Sequence, residues 1–162
     1  MTKRTTILAD ALAPITAITA LILMPAVASA ENGGADLLAL YGRMHAAMAA
    51  DSAAGVVAAA GEIAGQAEAA MSGPHAEAFS AVEKAARAMT GADLETLREQ
   101  FLPLSTAMAK LVEAGALAGA DIYYCSMAEG YWLQTKNDSA VKNPYYGKSM
   151  LTCGWKVDKV EG

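Results

Sequence analysis

The sequence predicts a mainly α protein, an antiparallel four-helix bundle with a short aromatic C-terminal segment, part β and part irregular, packed on it. Three observations predict this class. Between residues 35 and 119, apolar side chains recur at three- and four-residue spacings in four blocks parted by short breaks. Hydrophobic residues make up 54% of the chain and aromatic residues only 6%, so small aliphatics dominate and helices can approach closely. After residue 120 the composition changes abruptly: the last 42 residues hold both cysteines, both tryptophans and five of the six tyrosines.

The chain of 162 residues begins with an export address. Lys3 and Arg4 form a positive start, Ile15 to Val27 a largely apolar core, and Ala28-Ser29-Ala30 an A-x-A cleavage site. A membrane anchor needs about 20 consecutive apolar residues, and Pro14, Pro25 and Glu31 argue against one here. Residues 1–30 are therefore expected to be a signal peptide and 31–162 a single periplasmic or secreted domain with no membrane span. That domain would carry ten basic and sixteen acidic side chains, a net −6, which excludes a nucleic-acid binder working through a basic field.

The helices follow in order. Leu37, Tyr41, Met44 and Met48 form one stripe of a first helix. Asp51-Ser52 offers an N-cap for a second, carrying Val56, Ala60, Ile63, Ala67 and Met71. Ser72-Gly73-Pro74 breaks the chain before a third helix with Phe79, Val82, Ala86 and Met89. Thr90-Gly91-Ala92-Asp93 matches a variant capping box for a fourth, with Leu94, Leu97, Phe101, Leu104, Met108 and Leu111 on its apolar side. Pro103 should kink that helix, because it has no backbone N–H to donate.

Residues 120–160 form the Cys/Met/aromatic tail. Tyr123-Tyr124 begin an extended stretch, Asn137-Asp138 mark a turn, and Asn143-Pro144-Tyr145-Tyr146-Gly147 mark another. The chemistry concentrates here: Cys125-Ser126-Met127 and, later, Met150-Leu151-Thr152-Cys153 each place a methionine within three positions of a cysteine. Two thiolates and two thioethers make a soft donor set suited to Cu(I), with Ag(I) as an alternative, and Trp132 or Trp155 could shield such an ion. Zinc prefers imidazole beside thiolate, and neither histidine is near. The other reading of the same residues is a Cys125–Cys153 disulfide stapling the tail, with Met127 and Met150 filling gaps.

The run Tyr124-Cys125-Ser126-Met127-Ala128, then Trp132-Leu133, then Asn143-Pro144-Tyr145-Tyr146-Gly147-Lys148-x-Met150-Leu151-x-Cys153-Gly154 resembles the signature of the domain of unknown function 3347 family. The family pattern has proline where this chain has Ser126 and commonly phenylalanine where it has Tyr146; neither change touches a sulfur donor. The likeness is specific over residues 122–154 and weaker over the helices, where Asp51 and Leu97-Arg98-Glu99-Gln100-Phe101 fall in register. Family members are exported proteins or C-terminal extensions of periplasmic adaptors in copper and silver efflux systems. The resemblance thus implies heavy-metal handling, with an efflux-pump adaptor as partner.

Other clusters are weaker. Met44, His45 and Met48 form a Met-His-Met set, but the two methionines lie on the apolar stripe, which makes them core and points His45 to a flank. Glu95, Arg98 and Glu99 read as a solvated helix face. No nucleophile elbow, phosphate loop or metalloprotease motif occurs, so the expected function is not enzymatic. The sequence points to a metal-binding protein using Cys125, Met127, Met150 and Cys153, with a disulfide-stapled interaction module of the envelope as the alternative.

Overall fold

A computed structural model describes residues 28–161 of the chain. Nearly all of the expected signal peptide, residues 1–27, lies outside the described residues, and the first helix begins at Ala28 within the A-x-A motif. The order is α1 (Ala28–Ala49), α2 (Val56–Ala70), α3 (Ala76–Arg87), α4 (Leu94–Glu113), β1 (Ala120–Cys125), β2 (Gly130–Thr135) and β3 (Trp155–Val157). The protein is mainly α with a small antiparallel sheet in the strand order β2-β1-β3.

Hydrophobic periodicity builds the helical core directly. Leu37, Tyr41, Met44 and Met48 of α1 are buried, as are Val56, Ala60, Ile63 and Ala67 of α2 and Val82 and Ala86 of α3. In α4, Leu97, Phe101, Leu104, Met108 and Leu111 are buried, and Leu94 is partly so. Consecutive helices pack on one another, and α4 also packs on β2. Tyr41 joins α1 to α4: its ring stacks on Phe101 with centroids 5.3 Å apart, and its hydroxyl meets that of Ser105. The same hydroxyl accepts the backbone N–H of Leu133 at 3.1 Å, fastening β2 to the helices.

Two helix starts differ in how closely they follow the sequence. Asp93 caps α4, accepting the N–H of Thr96 at 2.9 Å. The expected cap at Asp51-Ser52 is not made. Gly55 occupies the N-cap of α2 in a left-handed conformation (φ +75°), with no side-chain cap. The physical reason is that the Asp51 carboxylate is engaged elsewhere, by Arg98 and by the backbone N–H of Lys148. Pro103 sits exposed inside α4, and the helix continues through it to Glu113.

The sheet register sorts the tail's rings onto two faces, since strand side chains alternate. Tyr123 lies opposite Trp132 and stacks on it at 5.5 Å. Tyr124 lies between Tyr131 and Trp155 on the other face. Cys125, two residues after Tyr123, therefore shares a face with Tyr123 and Trp132.

Candidate metal centre

The first sulfur is set by the hairpin between β1 and β2. Cys125 ends β1 opposite Gly130, leaving Ser126-Met127-Ala128-Glu129 as the connection. Glu129 takes a left-handed conformation (φ 49°), which lets a connection this short reverse the chain. The reversal leaves the backbone N–H groups of Ala128 and Met127 on the side of the Cys125 sulfur, where they favour its ionised form. The side chain itself is fully buried.

The second sulfur is set by the segment from Asn143 to Gly154. Asn143 nucleates it as an Asx turn: its Oδ1 accepts the N–H of Tyr145 at 2.8 Å and of Tyr146 at 3.3 Å. A single 3₁₀ turn, Gly147–Ser149, follows. Met150 then accepts the N–H of Cys153 at 3.0 Å, while Asn143 donates its backbone N–H to Leu151 O at 2.7 Å and its Nδ2 to Cys153 O at 2.7 Å. Gly154 has φ +128° and packs against the Trp132 ring, so this close approach requires a residue without Cβ.

The two chain segments bring the thiols into contact, with Cys125 Sγ 3.5 Å from Cys153 Sγ, both unbonded. Their environments differ. Burial of the Cys125 thiol opposes ionisation, but the Ala128 N–H, the Cys153 thiol, the Met127 N–H and the Asn143 side chain outweigh it, so its pKa falls below the usual thiol value. Cys153, the half-exposed partner, donates to Cys125 and its pKa is raised. The pair is thus one buried sulfur prepared to carry charge and one reachable from solvent.

Met127 and Met150, each within three positions of a cysteine in sequence, stay outside the buried core. Met127 lies in the hairpin connection, 59% exposed, and its carbonyl accepts the Tyr146 hydroxyl at 3.1 Å. Met150 ends the 3₁₀ turn, partly buried. Of the two tryptophans, Trp132 is fully buried on the Cys125 face, whereas Trp155 is 52% exposed on the opposite one. Among the described residues, no three His, Cys, Asp or Glu side chains converge on one point. Comparison with family models, with curated proteins and with solved structures finds no match to this chain.

The Met44-His45-Met48 set belongs to the interior. Both methionines are core residues, and His45 is not on a flank but 5% exposed, its Nε2 lying 2.6 Å from Lys142 O. The loop that crosses over it supplies a partner and makes burial tolerable. Arg98 likewise departs from the solvated face that its charge pattern predicts, its side chain being only 20% exposed. Its Nε donates to Pro144 O at 2.9 Å, and its Nη2 to Met48 O at 2.9 Å and to Asp51 Oδ1 at 2.7 Å. It fastens the segment carrying Cys153 to α1 and α4. The Asn-Pro pair carried a turn signal for Asn143, but nothing local to Arg98 marked its contacts.

Proposed function

We propose that the protein is a periplasmic or secreted carrier of Cu(I), or of Ag(I), which it binds through Cys125 and Cys153 with Met127 and Met150 as thioether donors. It buffers the ion or passes it by ligand exchange to the adaptor of a metal efflux pump, and it performs no catalysis. The observation that carries this reading is the 3.5 Å separation of the two sulfurs. Metal–thiolate bonds of about 2.3 Å at a tetrahedral angle hold two sulfurs about 3.8 Å apart, so an ion enters with a few tenths of an ångström of opening. Sulfur donors select soft ions, and thioethers need no deprotonation. The exposed Met127 suits a donor that exchanges with a partner's ligands. The resemblance of residues 122–154 to the domain of unknown function 3347 family supports the link to efflux, and the A-x-A motif supports export. We read the helices as an antiparallel four-helix bundle, a reading supported by the packing of consecutive helices and the Tyr41–Phe101 stack.

The same contact favours a second reading, a non-catalytic interaction module of the envelope stapled by a Cys125–Cys153 disulfide. A thiol count on protein purified without reductant, followed by Cu(I) titration of the reduced protein against a competing chelator, separates the two. The carrier reading expects one Cu(I) per reduced chain, lost in Cys125→Ser and in Cys153→Ser. Zero thiols as purified with no uptake after reduction overturns it and leaves the module.

A further inference from the structure

Tyr124, Tyr131 and Trp155 stand directly opposite one another on β1, β2 and β3, one ring on each strand, all on the face away from Cys125. The Tyr131 ring lies 4.8 Å from that of Tyr124 and is tilted to it by 41°. On the other side the Trp155 ring lies 5.7 Å from Tyr124 and is turned by 78°. The three rings thus form a corner rather than a flat platform. The chain itself adds another wall. After β3, residues 158–161 cross this face: Val160 is buried, and the Glu161 N–H donates to the Tyr131 hydroxyl at 2.9 Å, on the strand furthest from β3. Rings and crossing segment bound a cavity of about 330 Å³, at the small end of the range for small-molecule sites.

The cavity suits positive charge. The Asp158 and Glu161 carboxylates line it against the single ammonium of Lys159. Among the described residues, neither carboxylate stands in an ion pair. Ring faces are electron-rich and attract cations as well. A sugar stacks on a flat aromatic surface, which a corner does not offer, whereas a rounded cationic head meets every ring at once. A primary ammonium brings three N–H donors and tight hydration, and ring faces replace neither. A quaternary ammonium has no N–H to satisfy and spreads its charge over its methyl groups.

We propose that this corner binds a small soluble molecule with a quaternary ammonium head, of the choline type, held against the Tyr124, Tyr131 and Trp155 rings and facing the Asp158 and Glu161 carboxylates. The site goes beyond the metal reading and does not depend on it, since the rings lie across the sheet from Cys125. The ligand is a free molecule rather than a lipid headgroup. Among the described residues Trp155 is the one large, exposed apolar side chain at this face, too little apolar surface to seat the chain on a bilayer.

The test is a titration of the full mature chain with choline chloride against equal sodium chloride, followed by calorimetry and by the indole N–H resonance of Trp155. Saturable binding with a Kd below about 1 mM is expected. Dimethylbutanol, the uncharged carbon isostere of choline, and butylammonium, a primary ammonium, should each bind at least about tenfold more weakly. Trp155→Leu should weaken choline at least about tenfold. Asp158→Asn combined with Glu161→Gln should weaken it roughly threefold to tenfold. Both variants should keep the helical circular dichroism. The ligand comparison uses wild-type protein alone, so it decides even where Trp155→Leu does not fold. No saturation by about 10 mM choline overturns the proposal, as does unchanged binding in a folded Trp155→Leu. Equal binding of dimethylbutanol overturns it in favour of an apolar pocket, and equal binding of butylammonium in favour of a protein partner's lysine. Capture by phosphatidylcholine vesicles without a response to free choline overturns it in favour of a membrane.

Discussion

Arg98 on α4 and Asp51 beyond the end of α1 meet at 2.7 Å across 47 positions of sequence, and the segment bearing Cys153 is pinned between them. Arg98 also donates to Pro144 O and Met48 O, while the second Asp51 oxygen accepts the N–H of Lys148 at 3.2 Å. Gly147, at φ +52°, passes against both side chains where a Cβ would collide. The pair therefore does more than a surface ion pair, because its charges also satisfy backbone groups that the tail leaves without strand or helix partners.

Arg98→Ala should accordingly cost about 2–3 kcal/mol, the range for losing charge-assisted hydrogen bonds. The loss should appear in the tail first, as increased proteolysis after Lys142 and Lys148, before the helical circular dichroism changes. Equal resistance of variant and wild type to limited trypsin digestion would show that the tail is held by packing alone.

Gly154→Ala tests the other side of the same segment. An added Cβ would lie 2.8 Å from Tyr124 O and would collide with the Trp132 ring, in a backbone conformation that L residues rarely adopt. Strain and overpacking together should destabilise the protein by roughly 2–4 kcal/mol. The expected signature is a lowered urea midpoint, with a red shift of tryptophan emission as Trp132 gains water. A change under about 1 kcal/mol would mean that β3 and its flanks yield cheaply.

The helical half was legible because its signal is local. A stripe such as Leu37, Tyr41, Met44 and Met48 states its own burial, and all four are in the core. The Asp93 cap was equally plain, since capping acts within one turn. Asp51 looked like a cap for the same local reason, and its actual partner, far along the chain, won by supplying a full charge. Helical spacing puts His45 on a flank, and it is buried because a loop distant in sequence crosses over it. In the tail, turn residues and ring-rich strands were readable, and so was the concentration of sulfur. That Cys125 and Cys153 touch, and that Asn143 holds the Cys153 backbone, depends on register and on an Asx turn that composition does not encode.

His45 gives a pH prediction with a definite sign. Burial holds its imidazole below the usual 6.5, against the opposing pull of the Lys142 carbonyl and Asp138, with the Lys142 ammonium adding to the depression. The unfolded chain then binds a proton near pH 6.5 that the folded chain refuses until lower pH. Stability from this group is complete above that value and falls on acidification, by at most about 1.4 kcal/mol per pH unit. Urea unfolding at pH 7.5 and 5.5 should show the decline in wild type and a flatter profile in His45→Gln. Parallel profiles would assign the acid sensitivity to other groups.

Oxidation of the cysteine pair should trade metal binding for stability. The thiols are 28 positions apart in sequence and already in contact, so closing the disulfide asks little rearrangement of either segment. Loop-closure entropy predicts a gain of about 3–4 kcal/mol for a ring of this size. Both thiolates are consumed in the process, which leaves an ion only the thioethers of Met127 and Met150. Oxidised protein should therefore melt higher, bind Cu(I) weakly or not at all, and regain uptake in proportion to the thiols recovered as a dithiol reductant is titrated in. Full Cu(I) binding by protein with no titratable thiol would move the site away from Cys125 and Cys153, and a lower melting temperature on oxidation would show that the reduced contact is the geometry the fold prefers.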